Sequence, residues 1–298
     1  MKILVTGLSG FVGRYLEQEL LDHGHEVVDL NYSSDPVPAF CDIRDFEKVR
    51  SAILNHRPEA LIHLAGIADT HNGVTTDQLF EVNVTGTANI CRAAAELGNI
   101  RVLHVSSGIV FGSPTHQTAF NEAHVPRPPH RYSQSKLASE EVARLFACDS
   151  AFDLYIARPF NHIGPGQRVD FVSPALAAKI KHAPDPGVIE VGNLETYRDF
   201  TDVRDIVRAY RLMIESAPSE KLFVLGSGKP TKIKDVFDYF VGLSGKSIDV
   251  RVKPKLLKHG DPPTFYADAS LAKEVLDWEP RIPLRTSLKD VYESVPAT

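Results

Sequence analysis

Tyr132 and Lys136 stand four residues apart in the run Tyr132-Ser133-Gln134-Ser135-Lys136. On a helix this spacing puts the phenol and the ammonium on one face, about one turn apart. A lysine there favours phenolate over phenol, lowering a pKa of roughly 10 toward values useful for acid–base work near neutral pH. Such a pair alone also describes many solvated helix faces, so its meaning depends on its surroundings. Two features upstream supply them. Ser106 and Ser107 close a short apolar run. A hydroxyl there can hydrogen-bond a carbonyl oxygen alongside the phenol and stabilise a developing alkoxide. Gly7, Gly10 and Gly13 form a G-x-x-G-x-x-G fingerprint directly after the first apolar run. Glycines so placed allow a tight turn, close approach of a pyrophosphate, and close helix–strand packing, with Ser9, Phe11 and Val12 completing the turn.

Further positions follow from the path a dinucleotide would take. The run Val27-Val28-Asp29-Leu30-Asn31 ends where an adenosine ribose would sit. Strand parity puts Asn31 at the tip and turns Asp29 toward a helix or solvent. An amide at the tip tolerates NAD(H) and NADP(H) alike. Arg14, Tyr32 and Ser33 offer donors to a 2′-phosphate, which leans the expectation to NADP(H). Asp42 and Ile43 are placed to flank the adenine; the competing reading makes Asp42 a cap for the helix beginning near Asp45. Leu64, Ala65 and Gly66, a strand end of mostly small residues, would shape the cofactor path.

The elements that must position these residues are legible as alternation. Ile3–Val5, Glu26–Leu30, Ala60–Leu64, Arg101–Val105 and Leu154–Ala157 read as buried parallel strands. Amphipathic stretches Phe11–His23, Phe46–Asn55, Gln78–Leu97 and Ser133–Ala147 lie between them. This order predicts right-handed βαβ crossovers and an α/β fold, a doubly wound parallel sheet of the Rossmann kind. Lys221–Leu225 is expected to join that sheet late in the chain. Beyond Phe160, Pro and Gly become frequent and the alternation weakens. Residues 1–160, with a return segment near 202–230, are thus expected to form a dinucleotide-binding domain. Residues 161–298 mainly form a smaller, discontinuous α/β substrate-binding lobe, with the cleft at the carboxyl ends of the strands.

At 298 residues the chain can bury a large core. Its net charge of −5 is spread over interleaved acidic and basic residues. That argues against nucleic acid as a partner and against a polybasic membrane anchor. Cys41, Cys91 and Cys148 are far apart and odd in number, without metal spacing, so neither a metal site nor a disulfide framework is expected. The apolar run Ile3–Val5 is too short for a signal-peptide core, and no apolar stretch approaches the roughly 20 residues of a membrane span. The expectation is a cytoplasmic protein with no membrane partner.

The fingerprint, the serine pair and the Tyr132/Lys136 pair, in this order and with Asn83 on the helix between, resemble the extended short-chain dehydrogenase/reductase family over essentially the whole chain. Two later stretches are Ala157-Arg158-Pro159-Phe160-Asn161-His162-Ile163-Gly164-Pro165-Gly166-Gln167 and Arg198-Asp199-Phe200-Thr201-Asp202-Val203. They resemble the nucleotide-sugar branch, closest to the GDP-4-keto-6-deoxy-D-mannose reductases. The resemblance implies that Ser107, five before Gly112, takes the hydroxyl role. Tyr132 would then donate or accept the proton, and Lys136 would tune it and hold the nicotinamide ribose. It also implies that Asn161 contacts the sugar diphosphate, that Arg198 binds a phosphate, and that His162 lines the pocket. Arg198 has a competing reading as an ion-pair partner of Asp199 or Asp202, and Asn161 as a turn amide.

The chain departs from the pattern at Phe111, where the family usually has tyrosine, with little consequence expected. It departs again where Lys253, Lys255 and Lys258 replace arginines that reach the diphosphate; Lys255 is the expected substrate contact. The implied reaction is NAD(P)H-dependent reduction of the C4 ketone of GDP-4-keto-6-deoxy-D-mannose to GDP-6-deoxy-D-mannose. The alternative is a nucleotide-sugar 4-epimerase with a retained NAD. Gly108 and Ile109 follow Ser107 where a dehydratase carries Asp and Glu, which argues against dehydration. A non-catalytic dinucleotide-binding regulator often lacks the tyrosine or the lysine, and both are present. By analogy with the family, Gln78–Leu97 and Ser133–Ala147 would form a four-helix contact in a homodimer.

Overall fold

The computed structural model describes residues 1–30, 41–68, 73–113, 119–256 and 262–296. Asn31, Tyr32, Ser33 and Lys258, named above, lie outside them. The first half runs β1 (Lys2–Thr6), α1 (Phe11–Asp22), β2 (Glu26–Asp29), α2 (Phe46–His56), β3 (Ala60–His63), α3 (Thr76–Phe80), α4 (Gly86–Leu97), β4 (Arg101–Val105), α5 (Arg131–Cys148) and β5 (Asp153–Pro159). The second half runs β6 (Asn161–Ile163), α6 (Val172–His182), β7 (Gly187–Val191), β8 (Tyr197–Asp202), α7 (Val203–Ser216), β9 (Leu222–Leu225), β10 (Pro230–Lys232), α8 (Ile233–Ser244), β11 (Ile248–Val252), β12 (Thr264–Phe265), α9 (Ser270–Leu276) and α10 (Leu284–Ser294).

Six strands form one parallel sheet in the order β2-β1-β3-β4-β5-β9. Their continuous apolar runs follow from burial on both faces. Ile3, Val5, Ala60, Ile62, Leu103, Tyr155 and Ala157 face one layer, built on α1, α7 and α9. Leu4, Leu61, Val102, Leu154 and Ile156 face the other, built on α2, α4 and α5. The alternation along each strand is the period-two rule of pleated backbone. From β1 the chain goes outward to β2, then crosses back to β3 on the other side. The gap between the ends of β1 and β3 is therefore the switch point where such sheets bind ligands.

The remaining strands are short. β8 pairs with β6, β10 and β12, while β7 and β11 form a separate parallel pair. Helices α6, α8 and α10 pack with β6, β7 and β8 around a core that includes Ile163, Leu176, Phe200, Phe237 and Leu288.

Two differences from the sequence reading have physical causes. The stretch Gln78–Leu97 is not one uniform helix. A capping box between Thr75 and Gln78 starts α3 at Thr76, and a single π-helical turn, Glu81–Thr85, separates it from α4. That wider turn carries the buried Asn83. Secondly, Ala272, Leu276 and Trp278, far along the substrate stretch in sequence, pack into the layer built on α1 and α7. Trp278 Nε1 donates to the Asp205 carbonyl at 2.8 Å, fixing this return. No described helix is long and apolar enough to cross a membrane.

Candidate active site

At the β1–α1 turn, Gly7 has φ +76° and its missing Cβ would lie 2.9 Å from Ala65 N. The first glycine thus lets the turns after β1 and β3 meet across the switch point. A Cβ on Gly13 would lie 2.3 Å from the Leu8 carbonyl oxygen, so only glycine lets α1 begin so close to its strand. Gly10 caps α1 with no side chain on the first-turn amides, and Ser9 and Gly10 are both exposed. Phe11 and Val12 are half-buried beside them. An open helix amino terminus of this kind fits a pyrophosphate. Thr6 Oγ1 accepts from Ala65 N at 3.0 Å, which ties Leu64-Ala65-Gly66 to β1. A Cβ on Gly66 would lie 3.0 Å from Asn83 Oδ1. Asn83 accepts from Ile67 N at 2.8 Å and donates to Ile67 O and to Ser135 Oγ, both at 3.0 Å. It therefore fastens the loop after β3 to α5.

The adenine-side positions behave differently from one another. Asp45, not Asp42, caps α2, accepting from Lys48 N at 3.3 Å. Asp42 accepts from Arg44 N and Nε, both at 3.0 Å, and from Arg44 Nη2 at 2.6 Å. The guanidinium holds its carboxyl below the usual carboxylate range. Ile43 is buried, and the missing Cβ of Gly86 leaves room for its side chain. Arg14, expected near a 2′-phosphate, donates to the Gly166 carbonyl at 3.4 Å.

At the end of β4, Ser107 caps a short 3-10 turn and accepts from Ile109 N at 3.3 Å. Its hydroxyl also stands near enough to the Tyr132 phenol to favour the phenol's ionised form. Lys136 lies on the same face of α5, buried, with Nζ donating to the Val105 carbonyl at 2.7 Å. Ser107, Tyr132 and Lys136 are therefore brought together. The electrostatics differ from the spacing argument in one respect. Burial pushes the Tyr132 phenol up to about 12, and the Ser107 hydroxyl opposes this. The expected lowering of the phenol does not appear, because desolvation outweighs every charge nearby. Burial also brings Lys136 down to about 8, against the pull of the Glu140 carboxylate.

Asn161 is exposed at the start of β6, and its Nδ2 donates to the Asp199 carbonyl at 3.3 Å. Arg198 is half-buried, its Nη1 donating to the carbonyls of Tyr197 at 2.6 Å and Pro262 at 2.9 Å. The two aspartates offered as its partners serve other groups. Asp199, buried, accepts from Ser227 N, Gly228 N and Ala267 N at 2.8, 2.9 and 3.1 Å. Asp202 accepts from Arg204 and from Ser287 Oγ. His162 stacks on Phe11, ring planes 2° apart and centroids 6.3 Å apart. Phe111 is buried against Phe120, Phe160 and the Arg158 guanidinium, where it acts as core. Lys255 is exposed on a groove with Lys179, His182, Val188 and Lys253, and none of Ser107, Tyr132, Asn161 or Arg198 lines it.

Sequence reasoning missed two residues of this neighbourhood, Glu140 and Arg158. Glu140 is fully buried and accepts Ser106 Oγ at 2.5 Å, Arg158 Nε at 3.0 Å and Arg158 Nη2 at 2.7 Å. Both left a signal. Glu140 repeats the four-residue step of Tyr132 and Lys136, and Arg158 is a charge inside an apolar strand, which requires a partner. Among the described residues no cluster of His, Cys, Asp or Glu is arranged to hold a metal ion.

A glycine cradle at the switch point of a doubly wound sheet, with a Ser–Tyr–Lys group formed between the end of the fourth strand and α5, defines a nicotinamide-dinucleotide fold of the extended short-chain dehydrogenase/reductase kind. Residues 3–226 match the NAD dependent epimerase/dehydratase family, and the chain belongs to it. It is 27% identical to the GDP-6-deoxy-D-mannose reductase of Pseudomonas aeruginosa, over 97% of this chain and 95% of that protein. The structure of RMD from Pseudomonas aeruginosa complexed with NADPH superposes with a TM-score of 0.87 at 26% identity, covering 98% of each chain. The UDP-glucose 4-epimerase of Thermotoga maritima with UDP-glucose gives a TM-score of 0.88 at 27% identity, over 99% of this chain and 98% of that one.

Proposed function

We propose that this chain reduces the C4 ketone of GDP-4-keto-6-deoxy-D-mannose, giving GDP-6-deoxy-D-mannose, with NADPH or NADH as the reductant. The observation that carries the reading is the meeting of Ser107 with Tyr132, with Lys136 one turn further along α5 and its ammonium on the Val105 carbonyl. The relative with reductase activity over nearly its whole length supports the choice of substrate.

Gly7, Ser9, Gly10, Phe11, Val12 and Gly13 would hold the pyrophosphate, and Leu64, Ala65 and Gly66 would line its path. The bound nicotinamide supplies hydride. Ser107 and Tyr132 together donate hydrogen bonds to the ketone oxygen, so that negative charge grows where donors already point. Tyr132 then passes its phenolic proton to that oxygen. A phenol pushed up to about 12 is fully protonated at neutral pH, the form a reductase requires of its acid. The Lys136 ammonium compensates the phenolate left behind. Arg198 offers the diphosphate a planar multi-donor fork and Asn161 an amide, while Lys255, on its separate groove, is left out of this contact. The protein is read as a cytoplasmic homodimer joined through α4 and α5.

The second reading is a nucleotide-sugar 4-epimerase, favoured by the likeness to the Thermotoga maritima enzyme. A panel of GDP-, dTDP- and UDP-4-keto-6-deoxy sugars against both nicotinamide cofactors separates the two. The reductase consumes stoichiometric NAD(P)H with the GDP sugar, and NMR of the product shows the D-manno configuration. Tyr132→Phe should lose about 100-fold or more in kcat. An epimerase carries NAD through purification and shows no net oxidation. No loss of nicotinamide absorbance with any keto sugar sinks the reductase reading.

A further inference from the structure

Three consecutive residues at the end of β4 are stitched to three positions of α5 that share one face. The Val105 carbonyl accepts from Lys136 Nζ at 2.7 Å, Ser106 Oγ donates to Glu140 Oε1 at 2.5 Å, and Ser107 meets the Tyr132 phenol. Tyr132, Lys136 and Glu140 succeed one another at intervals of four, which is what aligns them. Glu140 is the member with no part in the chemistry above. It is also the costliest to keep, a carboxylate with 0% exposure in low dielectric. Arg158 from β5, 3% exposed, compensates it through two hydrogen bonds, and Arg144 stands 3.8 Å away. Arg158 is itself braced over the Phe111 ring, 5.0 Å from its centroid. Apolar side chains of similar volume commonly replace such a buried pair without loss of stability, so filling the space does not by itself require it.

We propose that Glu140 is a positioning residue: through Ser106 it holds the strand end that presents Ser107 to Tyr132, and its charge keeps the Lys136 ammonium in place. The charged and titratable groups that act on Lys136 are Glu140 on α5, His63 on β3 and His104 on β4, while Tyr132 shares its helix face one turn back. Both histidines are held neutral by burial, His63 down at about 3. Glu140, one helical turn from Lys136, is the carboxylate among them and favours the protonated lysine even though Arg158 shares its charge. The kinetic part of this assignment rests on the reductase reading; the charge part does not.

Full-length protein carrying 13C-labelled lysine tests the charge. The Lys136 resonance is identified by its loss in Lys136→Met. In the native protein it should titrate near pH 8. In Glu140→Gln the midpoint should fall by about half a pH unit or more. Equal midpoints overturn the charge role. Should E140Q not fold, the double variant Glu140→Met/Arg158→Met replaces the pair with apolar groups of similar volume and is read by the same titration. The register is tested separately with Ser106→Ala. It should leave the lysine midpoint in place and lower kcat about 10-fold at unchanged KM, and native kcat in that variant overturns the register role. Should the wild type turn over no keto sugar while E140Q still moves the midpoint, the reductase reading has failed and the charge role stands.

Discussion

Tyr132 and Lys136 are tuned by burial more than by each other. The phenol sits near 12 and the ammonium near 8, each shifted toward its neutral form. Ser107 is the group that opposes the shift on Tyr132. Removing its hydroxyl therefore does two things: it takes away one donor to the ketone oxygen and leaves the phenol still harder to ionise. Ser107→Ala should lower kcat by about 100-fold while NADPH affinity, read by fluorescence titration, stays within about twofold. A change in cofactor affinity matching the loss in kcat would show that Ser107 acts on binding instead. At the same scale, Asp42 and Arg198 mark the limit of reading residue types alone. A carboxylate near a cofactor path proved to hold Arg44, and an arginine beside two aspartates donates to main-chain carbonyls.

Element by element, the glycine turn and α5 carry the site. At Gly13 a Cβ would meet backbone oxygens at 2.3 and 2.4 Å, and neither can move without shifting the start of α1. Gly13→Ala should thus displace the helix terminus, reduce NADPH affinity at least about 10-fold, and destabilise the fold by about 1–3 kcal/mol. An alanine variant with native affinity and native urea midpoint would remove the fingerprint from the cofactor site. This element was legible in sequence because the constraint is local: a strand, three glycines and the start of a helix lie between Lys2 and Gly13. The stitching of β4 to α5 was half legible. The interval of four showed which side chains share a face, but not that the face lies against Val105, Ser106 and Ser107. The π-helical turn around Asn83 left no periodic trace, since a single inserted residue is lost within the helical pattern.

Across the whole molecule, distant segments are pinned to the sheet by polar contacts. Tyr15 Oη donates to the Pro165 carbonyl at 2.8 Å, and the Gly164–Gly166 turn thereby rests on α1. Asp205 accepts from Arg281 N and Ile282 N at 3.0 and 2.9 Å, closing the last segment onto α7. The interior also holds neutral histidines: His63 accepts or donates at Thr6 Oγ1 (2.7 Å) and Thr87 Oγ1 (3.1 Å), and His104 pairs with Ser139 Oγ at 2.9 Å. Their folded-state values lie far below 6.5, so between about 6.5 and those values the unfolded chain binds more protons. Their contribution to stability is complete above pH 6.5 and is lost as pH falls, by up to about 1.4 kcal/mol per pH unit for each. Urea unfolding should give a lower midpoint at about pH 5 than at about pH 7, and His104→Phe should flatten the dependence. A midpoint that does not fall on acidification contradicts the buried neutral pair.

By itself the sequence determined the strand–helix alternation, the glycine cradle and the facing of Tyr132 with Lys136, because each depends on neighbours within a few turns of chain. The tertiary structure alone decided that Glu140 and Arg158 share a buried charge pair beneath the site, that Lys136 rests on the Val105 carbonyl, and that Trp278 returns to the first layer. Those contacts join segments far apart in the chain, and desolvation, which sets both the phenol and the ammonium, exists only once the layers have closed over them.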